Sequence, residues 1–155
     1  MAKQPGRVKI AFFVAIMATA LALGGALAHA FELPNKMLMS RGDYFVTQQA
    51  YRGWSLLALV LVVQLASMLW LASGVRRERR IFAPVLVAVG CLVTAQIIFW
   101  IWTYPANGAT DNWTRIPQDW ADLRRQWEFS HAAGAVFQLG AMAALTVAAL
   151  RRSPD

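Results

Sequence analysis

The chain has 155 residues, a length that suits a single domain. Hydrophobic residues make up 58% of it and charged residues 15%, so it is far more apolar than a typical soluble domain. A formal net charge of +7 would favour nucleic acid as the partner of a soluble protein. Here most basic residues flank apolar stretches, which indicates a membrane protein with no nucleic-acid partner.

Four apolar stretches are close to the length of about 20 residues that a helix needs to span a bilayer. They cover residues 10–30, 54–72, 85–102 and 132–150. Short connections favour antiparallel neighbours. The sequence therefore predicts an all-α fold, an up-and-down four-helix bundle in the lipid bilayer. One domain is expected over residues 1–155, with helices 2 and 4 extended on the outer side.

The first stretch has two interpretations. Basic residues precede it and Ala28-His29-Ala30 resembles a cleavage site, as in a secretory signal peptide. The stretch is longer than the apolar core of such peptides, which favours a retained membrane span. In that case His29 and Glu32 share one helix face, because they are three residues apart. The helix is expected to end soon afterwards, at Pro34.

The second helix is predicted to begin before the membrane. Residues 40–43 (Ser-Arg-Gly-Asp) form a variant of the capping box that starts many helices. Tyr44, Gln48 and Tyr51 follow on one helix face and are candidates for substrate binding. Tyr51 also suits the aromatic belt at a membrane interface. Gln64, deep in the span, is expected to form an interhelical hydrogen bond.

The third helix is expected to follow Pro84, and the fourth to begin near Ile116-Pro117-Gln-Asp119. One stripe of the fourth helix then consists of Trp120, Leu123, Trp127, His131, Gly134 and Gln138. The stripe is apolar apart from its histidine and glutamine, so His131 is expected to point into the bundle. Glu128 lies on an adjoining face, where a surface ion pair with Arg124 or Arg125 is expected.

The basic residues are unequally divided between the two ends of the bundle. Nine belong to the N-terminal tail, the second connection and the C-terminus, whereas six are spread over the longer first and third connections. Basic residues near spans concentrate on the cytoplasmic side. Both termini are therefore predicted to be cytoplasmic in the inner (plasma) membrane. His29, Glu32 and residues 104–131 would then face the periplasm.

The outer end concentrates the groups that carry chemistry. His-x-x-Glu leaves the first helix at His29 and Glu32, and Glu-x-x-His enters the fourth at Glu128 and His131. If these two helices pack side by side, the two histidines are expected within about 10 Å of each other. These four are the predicted catalytic residues and also possible ligands of one metal ion, copper or iron. A di-iron site would need more glutamates, and haem between the two histidines is less favoured. A metal-free site is the alternative, with a histidine as base and a carboxylate that orients it.

Four segments carry a resemblance to a known family. They are Phe31-Glu-Leu-Pro-Asn-Lys36, Gln48-Gln-Ala-Tyr-Arg-Gly-Trp54, Asn107 with Asn112-Trp-Thr, and Pro117-x-x-Trp120 with Leu123-Arg-x-x-Trp127-x-x-x-His131. Together they resemble the anthrone oxygenase-like family of small four-helix integral membrane proteins. The resemblance implies an outer-face site built on Asn107, Asn112, Trp127 and His131. It also implies oxidation of anthrones to anthraquinones with dioxygen and without an established cofactor.

The leading hypothesis is a membrane oxidoreductase that acts on a small hydrophobic molecule, aromatic or quinone-like. Asn107 and Asn112 would donate hydrogen bonds to a developing phenolate or enolate oxygen. Trp113, Trp120 and Trp127 would form the walls of the pocket. Two alternatives remain. A non-catalytic accessory subunit of a larger membrane complex predicts that the histidines are far apart. A homo-oligomer is also open as the assembly state. A small transporter would favour ionisable groups near the bilayer midplane.

Overall fold

The computed structural model describes residues 5–152 and consists of helices and short connections. The helices are α1 (Pro5–Leu38), α2 (Arg41–Gln48), α3 (Leu57–Val75), α4 (Arg79–Ile98), α5 (Tyr104–Ala109) and α6 (Trp120–Leu150). Two 3-10 turns, Gln49–Tyr51 and Trp54–Leu56, connect α2 to α3, and a π-helical segment, Phe99–Thr103, joins α4 to α5. Residues 5–152 include no strand, which confirms the all-α prediction.

Four helical segments are long and apolar enough to cross a membrane. They are Gly6–Leu38, Trp54–Val75, Arg79–Ala109 and Trp120–Leu150. Each contains one of the apolar stretches seen in the sequence. About a third or less of each apolar window is buried inside the bundle, so most of its apolar side chains face outward, where lipid can cover them. The chain is a multi-pass membrane protein.

The four long helical segments pack in a closed ring. α1 lies against α3 and α6, and α4 lies against the same two helices. Alanines at helical spacing on α1, such as Ala11, Ala15 and Ala18, are fully or nearly fully buried. Small side chains let helix backbones approach closely in lipid. The contact between α1 and α6 brings the end of the first helix beside the start of the last.

The two ends of the bundle differ in composition. One end holds residues 29–54 and 99–131, including α2 and α5, and is called here the loop-rich end. The other holds residues 76–80 and 151–152 and is called the basic end. At the basic end, Arg151 Nη1 donates to the Arg80 carbonyl at 3.4 Å. That carbonyl is the one deprived of a helical donor by Pro84, four residues later.

Pro34 and Pro84, which were expected to mark a helix end and a helix start, both lie inside helices. α1 continues past Pro34 to Leu38, and α4 begins at Arg79, before Pro84. The expectations at these two positions are wrong. A proline near a helix end removes one hydrogen bond without reversing the chain, and at Pro84 the lost donor is replaced by Arg151, which directly follows α6.

The outer part of the second helix is a separate element. Its predicted cap is confirmed, because Ser40 Oγ accepts from the Asp43 backbone at 3.3 Å and donates to the Asp43 carboxylate at 2.6 Å. The helix does not continue into the span, because Gly53 has φ 91° and turns the chain between α2 and α3. The last helix does extend at the loop-rich end as predicted, although it begins at Trp120, slightly later than expected.

The middle of the bundle contains a small polar cluster. Gln64 Nε2 donates to Gln138 Oε1 at 2.9 Å and to Thr19 Oγ1 at 3.2 Å. Gln138 Nε2 donates back to Gln64 at 3.4 Å, and Thr19 donates to the Ala15 carbonyl. This amide cluster (Thr19, Gln64, Gln138) joins α1, α3 and α6. The expected interhelical hydrogen bond of Gln64 is confirmed.

Candidate functional site

The two histidines of the chain meet at the loop-rich end. The ring centroids of His29 and His131 are 4.3 Å apart, and His29 is buried. The rings of Tyr51, Trp54 and Trp127 surround His29 at centroid distances of 4.5, 5.1 and 5.0 Å. These five residues form what we call the histidine cage. The proximity expected from the order of the helices is thus confirmed.

The hydrogen bond of His131 defines which ring nitrogen can act as a base. Its Nδ1 lies 3.0 Å from the Trp127 carbonyl oxygen, four residues earlier. A carbonyl only accepts, so Nδ1 carries a proton and donates it to this bond. In the neutral ring Nε2 then keeps its lone pair. The Trp127 ring, at a centroid distance of 4.0 Å, packs against the imidazole and holds its orientation.

A buried lysine lies beside the cage and was missed as a site residue in the sequence. Lys36 is 1% exposed. Its Nζ lies 3.0 Å from Glu32 Oε2 and 3.6 Å from Glu128 Oε1, although neither contact has hydrogen-bond geometry. The same ammonium lies over the Tyr51 ring, 4.1 Å from its centroid. The sequence spacing could have identified Lys36 as a site residue, because it follows His29 and Glu32 at helical intervals and shares their helix face.

Glu128 is buried rather than exposed. Its exposure is 1%, and Tyr44 Oη donates to its Oε1 at 3.0 Å. The predicted surface ion pair with Arg124 or Arg125 is therefore wrong. The reason is that α2 and the end of α1 cover this face of α6, and they supply Tyr44 and Lys36 as partners.

The two arginines have other partners. Arg124 Nη1 donates to the carbonyls of Lys36 and Met39 at 3.3 and 3.0 Å, where the last carbonyls of α1 need donors. Its guanidinium lies 4.8 Å from the Trp120 ring centroid. Arg125 pairs with Asp122 on the exposed face of α6.

The predicted binding residues of α2 and of the 3-10 turn that follows it contact the two carboxylates. Gln48 Nε2 donates to the Tyr44 hydroxyl, which in turn donates to Glu128, while the Tyr51 hydroxyl donates to Glu32. Burial, and then the neighbouring Glu128 carboxylate, raise the pKa of the Tyr44 phenol. Tyr44 therefore stays protonated and remains a donor. Lys36, Glu32, Glu128, Tyr44 and Gln48 form what we call the lysine cluster.

Asn107 orders the tryptophans. Its Oδ1 accepts from Trp127 Nε1 at 2.8 Å and from Trp113 Nε1 at 3.2 Å. The oxygen of this amide therefore has a structural role, and only the nitrogen is left for the predicted donation to a substrate. Trp113 and Trp120 pack on Tyr44, at centroid distances of 5.1 and 6.5 Å, and so form a layer over the lysine cluster.

Asn112 belongs to an exposed turn. It is exposed, and its backbone N–H donates to the Asn107 carbonyl at 2.7 Å. Asp111, Asn112 and Trp113 have φ values of 48°, 52° and 65°, a left-handed run that is strained for a side chain as bulky as tryptophan. Asparagine tolerates this conformation. The residue therefore stabilises the turn, and its predicted role as a hydrogen-bond donor to substrate stays a prediction.

The four predicted metal ligands do not form a metal site. Within residues 5–152, no group of three or more His, Cys, Asp or Glu side chains is arranged to hold a metal ion. The Lys36 ammonium, within ion-pair distance of both Glu32 and Glu128, supplies the positive charge that the two carboxylates need. A haem would need the two histidines on its opposite faces, and their direct ring contact leaves no room for one.

Unpaired polar atoms concentrate at this end of the bundle. Among the described residues, the buried side-chain nitrogen and oxygen atoms without a hydrogen-bond partner are His29 Nδ1, Lys36 Nζ, Gln48 Oε1, Arg124 Nε and Glu128 Oε2. Such atoms are rare in folded proteins, because each costs about 1–3 kcal/mol. The group includes both donors and acceptors, so a polar ligand or water inserted here would find partners of both kinds.

Comparisons of the chain with protein-family models, curated proteins and solved structures return no match.

Proposed function

We propose that this chain is a membrane-bound oxidoreductase that acts on a small aromatic or quinone-like molecule at the loop-rich end. The observation that carries the proposal is the contact between His29 and His131, at 4.3 Å, inside a cage of aromatic rings. Flat, electron-rich rings suit a planar aromatic ligand, which can stack on them. The accessory-subunit alternative required these histidines to be far apart.

His131 Nε2 is the proposed general base. The hydrogen bond from Nδ1 to the Trp127 carbonyl points the lone pair of Nε2 away from the helix backbone. A phenol or an acidic methylene group that packs against His131, which is partly exposed, would give its proton to this nitrogen. A positioned base of this kind typically contributes about 10²–10⁴ in rate.

Lys36 is the proposed partner of the oxyanion that forms. Its ammonium is buried against Tyr51 and Trp127, where a positive charge acts more strongly on a developing phenolate or enolate than it would in water. Glu128 and Glu32 keep the ammonium in place, and Tyr44 orients Glu128. In this proposal the two glutamates do not contact the substrate; they are positioning residues that hold Lys36 in place.

The family resemblance supports dioxygen as the oxidant. In an anthrone-type reaction, the methylene carbon loses two hydrogens and gains one oxygen atom from dioxygen, while the second oxygen atom leaves as water. The contribution of the protein would be to form the electron-rich enolate and to shield it from bulk water.

The proposal is tested by replacing His131. Purified protein in mild detergent is supplied with anthrone or a hydroquinone, and oxygen consumption is measured. We expect His131→Gln to assemble normally but to lose about a hundredfold in rate, about 2.7 kcal/mol of transition-state stabilisation. The amide can form hydrogen bonds but cannot accept a proton at neutral pH.

The matched control is Gln138→Leu on the same helix, which removes a buried amide remote from the cage and should keep the activity. A fully active His131→Gln protein would exclude the catalytic base. A wild-type protein that binds neither probe would exclude the proposed substrate class.

The proposed location is the inner membrane, with both termini in the cytoplasm and the histidine cage facing the periplasm. Support comes from the excess of basic residues at the basic end and in the N-terminal tail. A reporter fused after Asp155 should be active only in the cytoplasm. Reporter activity in the periplasm would reverse the orientation and place the cage on the cytoplasmic side.

A further inference from the structure

An apolar groove opens on the outer surface of the bundle between α1 and the start of α3. Its volume is about 490 Å³, within the range of about 300–1,000 Å³ that is typical of ligand pockets. The lining residues are Gly25, Gly53, Trp54, Leu56, Leu57 and Val60. All except Gly53 belong to candidate membrane spans, so the groove faces the region that lipid chains occupy.

Trp54 connects this groove to the histidine cage. Its ring lines the groove and also lies 5.1 Å from the ring of His29, centroid to centroid. Gly25 precedes His29 by four residues, one helical turn, so both lie on the same face of α1. A molecule in the groove would therefore extend along this face and reach the cage at Trp54.

Gly25 gives the groove its depth. A Cβ atom at this position would lie 3.1 Å from Leu57 Cδ1 and 3.8 Å from the Trp54 ring, so any side chain there projects into the groove. The neighbouring Gly24 is exposed, and a Cβ there would meet no atom within 4 Å. The two glycines therefore provide a matched pair, since only one of them borders the groove.

We infer that the groove holds the apolar chain of the substrate while the aromatic ring packs against the histidine cage at Trp54. The substrate class is then a phenol or hydroquinone with one alkyl or prenyl chain, which enters sideways from the bilayer. This inference rests on the proposed function and extends it. The groove is lined by apolar residues and glycine, whereas His29, whose ring lies 5.1 Å from that of Trp54, is a buried polar side chain of the cage. That arrangement matches a molecule with a polar head and one apolar chain.

The test compares two probes that share a ring and differ only in the chain, decylhydroquinone and methylhydroquinone. Binding is measured by quenching of tryptophan fluorescence at a fixed detergent concentration. Gly25→Leu fills the groove from α1, and Val60→Phe fills it from α3. Gly24→Leu is the control, because it adds the same side chain outside the groove.

We expect Gly25→Leu and Val60→Phe to weaken decylhydroquinone binding by at least about tenfold, which corresponds to about 1.4 kcal/mol. Methylhydroquinone binding should stay within about twofold of wild type, since a steric change in the groove does not reach the ring, and Gly24→Leu should change neither value. If Gly25→Leu does not fold, Val60→Phe decides.

Three outcomes overturn the inference. Equal losses for both probes would mean that the substitutions disturb the cage rather than the groove. No loss for decylhydroquinone would mean that the groove holds only bilayer lipid; in either case the proposed function survives if methylhydroquinone binds wild type. Failure of both probes to bind wild type would overturn the proposed function together with the inference.

Discussion

Two regions of this bundle bury polar side chains, and they do so in different ways. In the amide cluster, Gln64, Gln138 and Thr19 are neutral and satisfy one another through hydrogen bonds between three helices. In the lysine cluster, Lys36 and Glu128 are ionisable, and each leaves a buried polar atom unpaired. The amide cluster is neutral throughout, whereas the lysine cluster buries the charged side chains of Lys36 and Glu128.

Under the proposed function, the difference separates a structural role from a functional one. Interhelical amide pairs hold transmembrane helices together and need no further partner. Ionisable groups are costly to bury in a membrane protein, and those that are retained there often mark functional sites. All the unpaired buried atoms of the described residues belong to the loop-rich end, beside the histidine cage. The comparison therefore predicts loss of function from changes at one region and loss of stability alone from changes at the other.

The largest effect is expected from Lys36→Met, measured as thermal or denaturant unfolding in mild detergent. Removing one member of a buried ion pair leaves its partner uncompensated, which costs about 3–5 kcal/mol. Here the uncompensated group is Glu128, which is 1% exposed. The double variant Lys36→Met with Glu128→Gln should recover most of this loss, because the remaining amide is neutral and can still accept from Tyr44.

The control for this experiment is Arg41→Met, an exposed basic residue at the same end, which should change stability by less than about 0.5 kcal/mol. If the single and double variants were equally unstable, the packing of the aliphatic stem of Lys36 would account for the loss. The buried ion pair would then contribute nothing to the free energy of unfolding.

A smaller effect is expected from Tyr44→Phe, which removes the hydroxyl that donates to Glu128 but keeps the ring. A hydrogen bond to a charged group contributes about 1.5–3 kcal/mol. We expect a stability loss in that range together with slower oxidation of the probe, because Glu128 would no longer be held against Lys36. Tyr104→Phe is the matched control, because Tyr104 is exposed and its ring contacts those of Phe99 and Trp100 rather than the lysine cluster. If the Tyr44→Phe variant oxidised the probe at the wild-type rate, Tyr44 would have no role in the reaction.

The smallest effect is expected in the amide cluster. Gln64→Leu should cost about 0.6 kcal/mol and at most about 1.7 kcal/mol, the range measured for interhelical hydrogen bonds in a membrane protein. Oxidation of the probe should be unchanged. Replacing Gln138 by leucine as well should restore stability, since an apolar pair leaves no unpaired amide. A loss of activity comparable to that of His131→Gln would contradict the distinction between the two regions.

The order of helices explains how much of the site the sequence predicted. Four apolar stretches with short connections require the end of the first helix and the start of the fourth to lie at the same membrane level. His29 and His131 were therefore expected to approach each other, and the contact between α1 and α6 brings their rings together. The cap at Ser40 was predictable for a similar reason, because capping depends only on residues within one turn.

What the sequence by itself determined was the number of apolar helices, their approximate ends and the end of the bundle at which the ionisable groups lie. Hydropathy and capping are local properties, so a window of a few turns contains the information. Only the tertiary structure decided that Lys36 and Glu128 are buried together, that Gly53 separates α2 from α3, and that Asn112 faces solvent. A long charged side chain looks the same in a local window whether it is exposed or buried. Its burial depends on which distant helix covers it, here α2 and the end of α1 packed over α6.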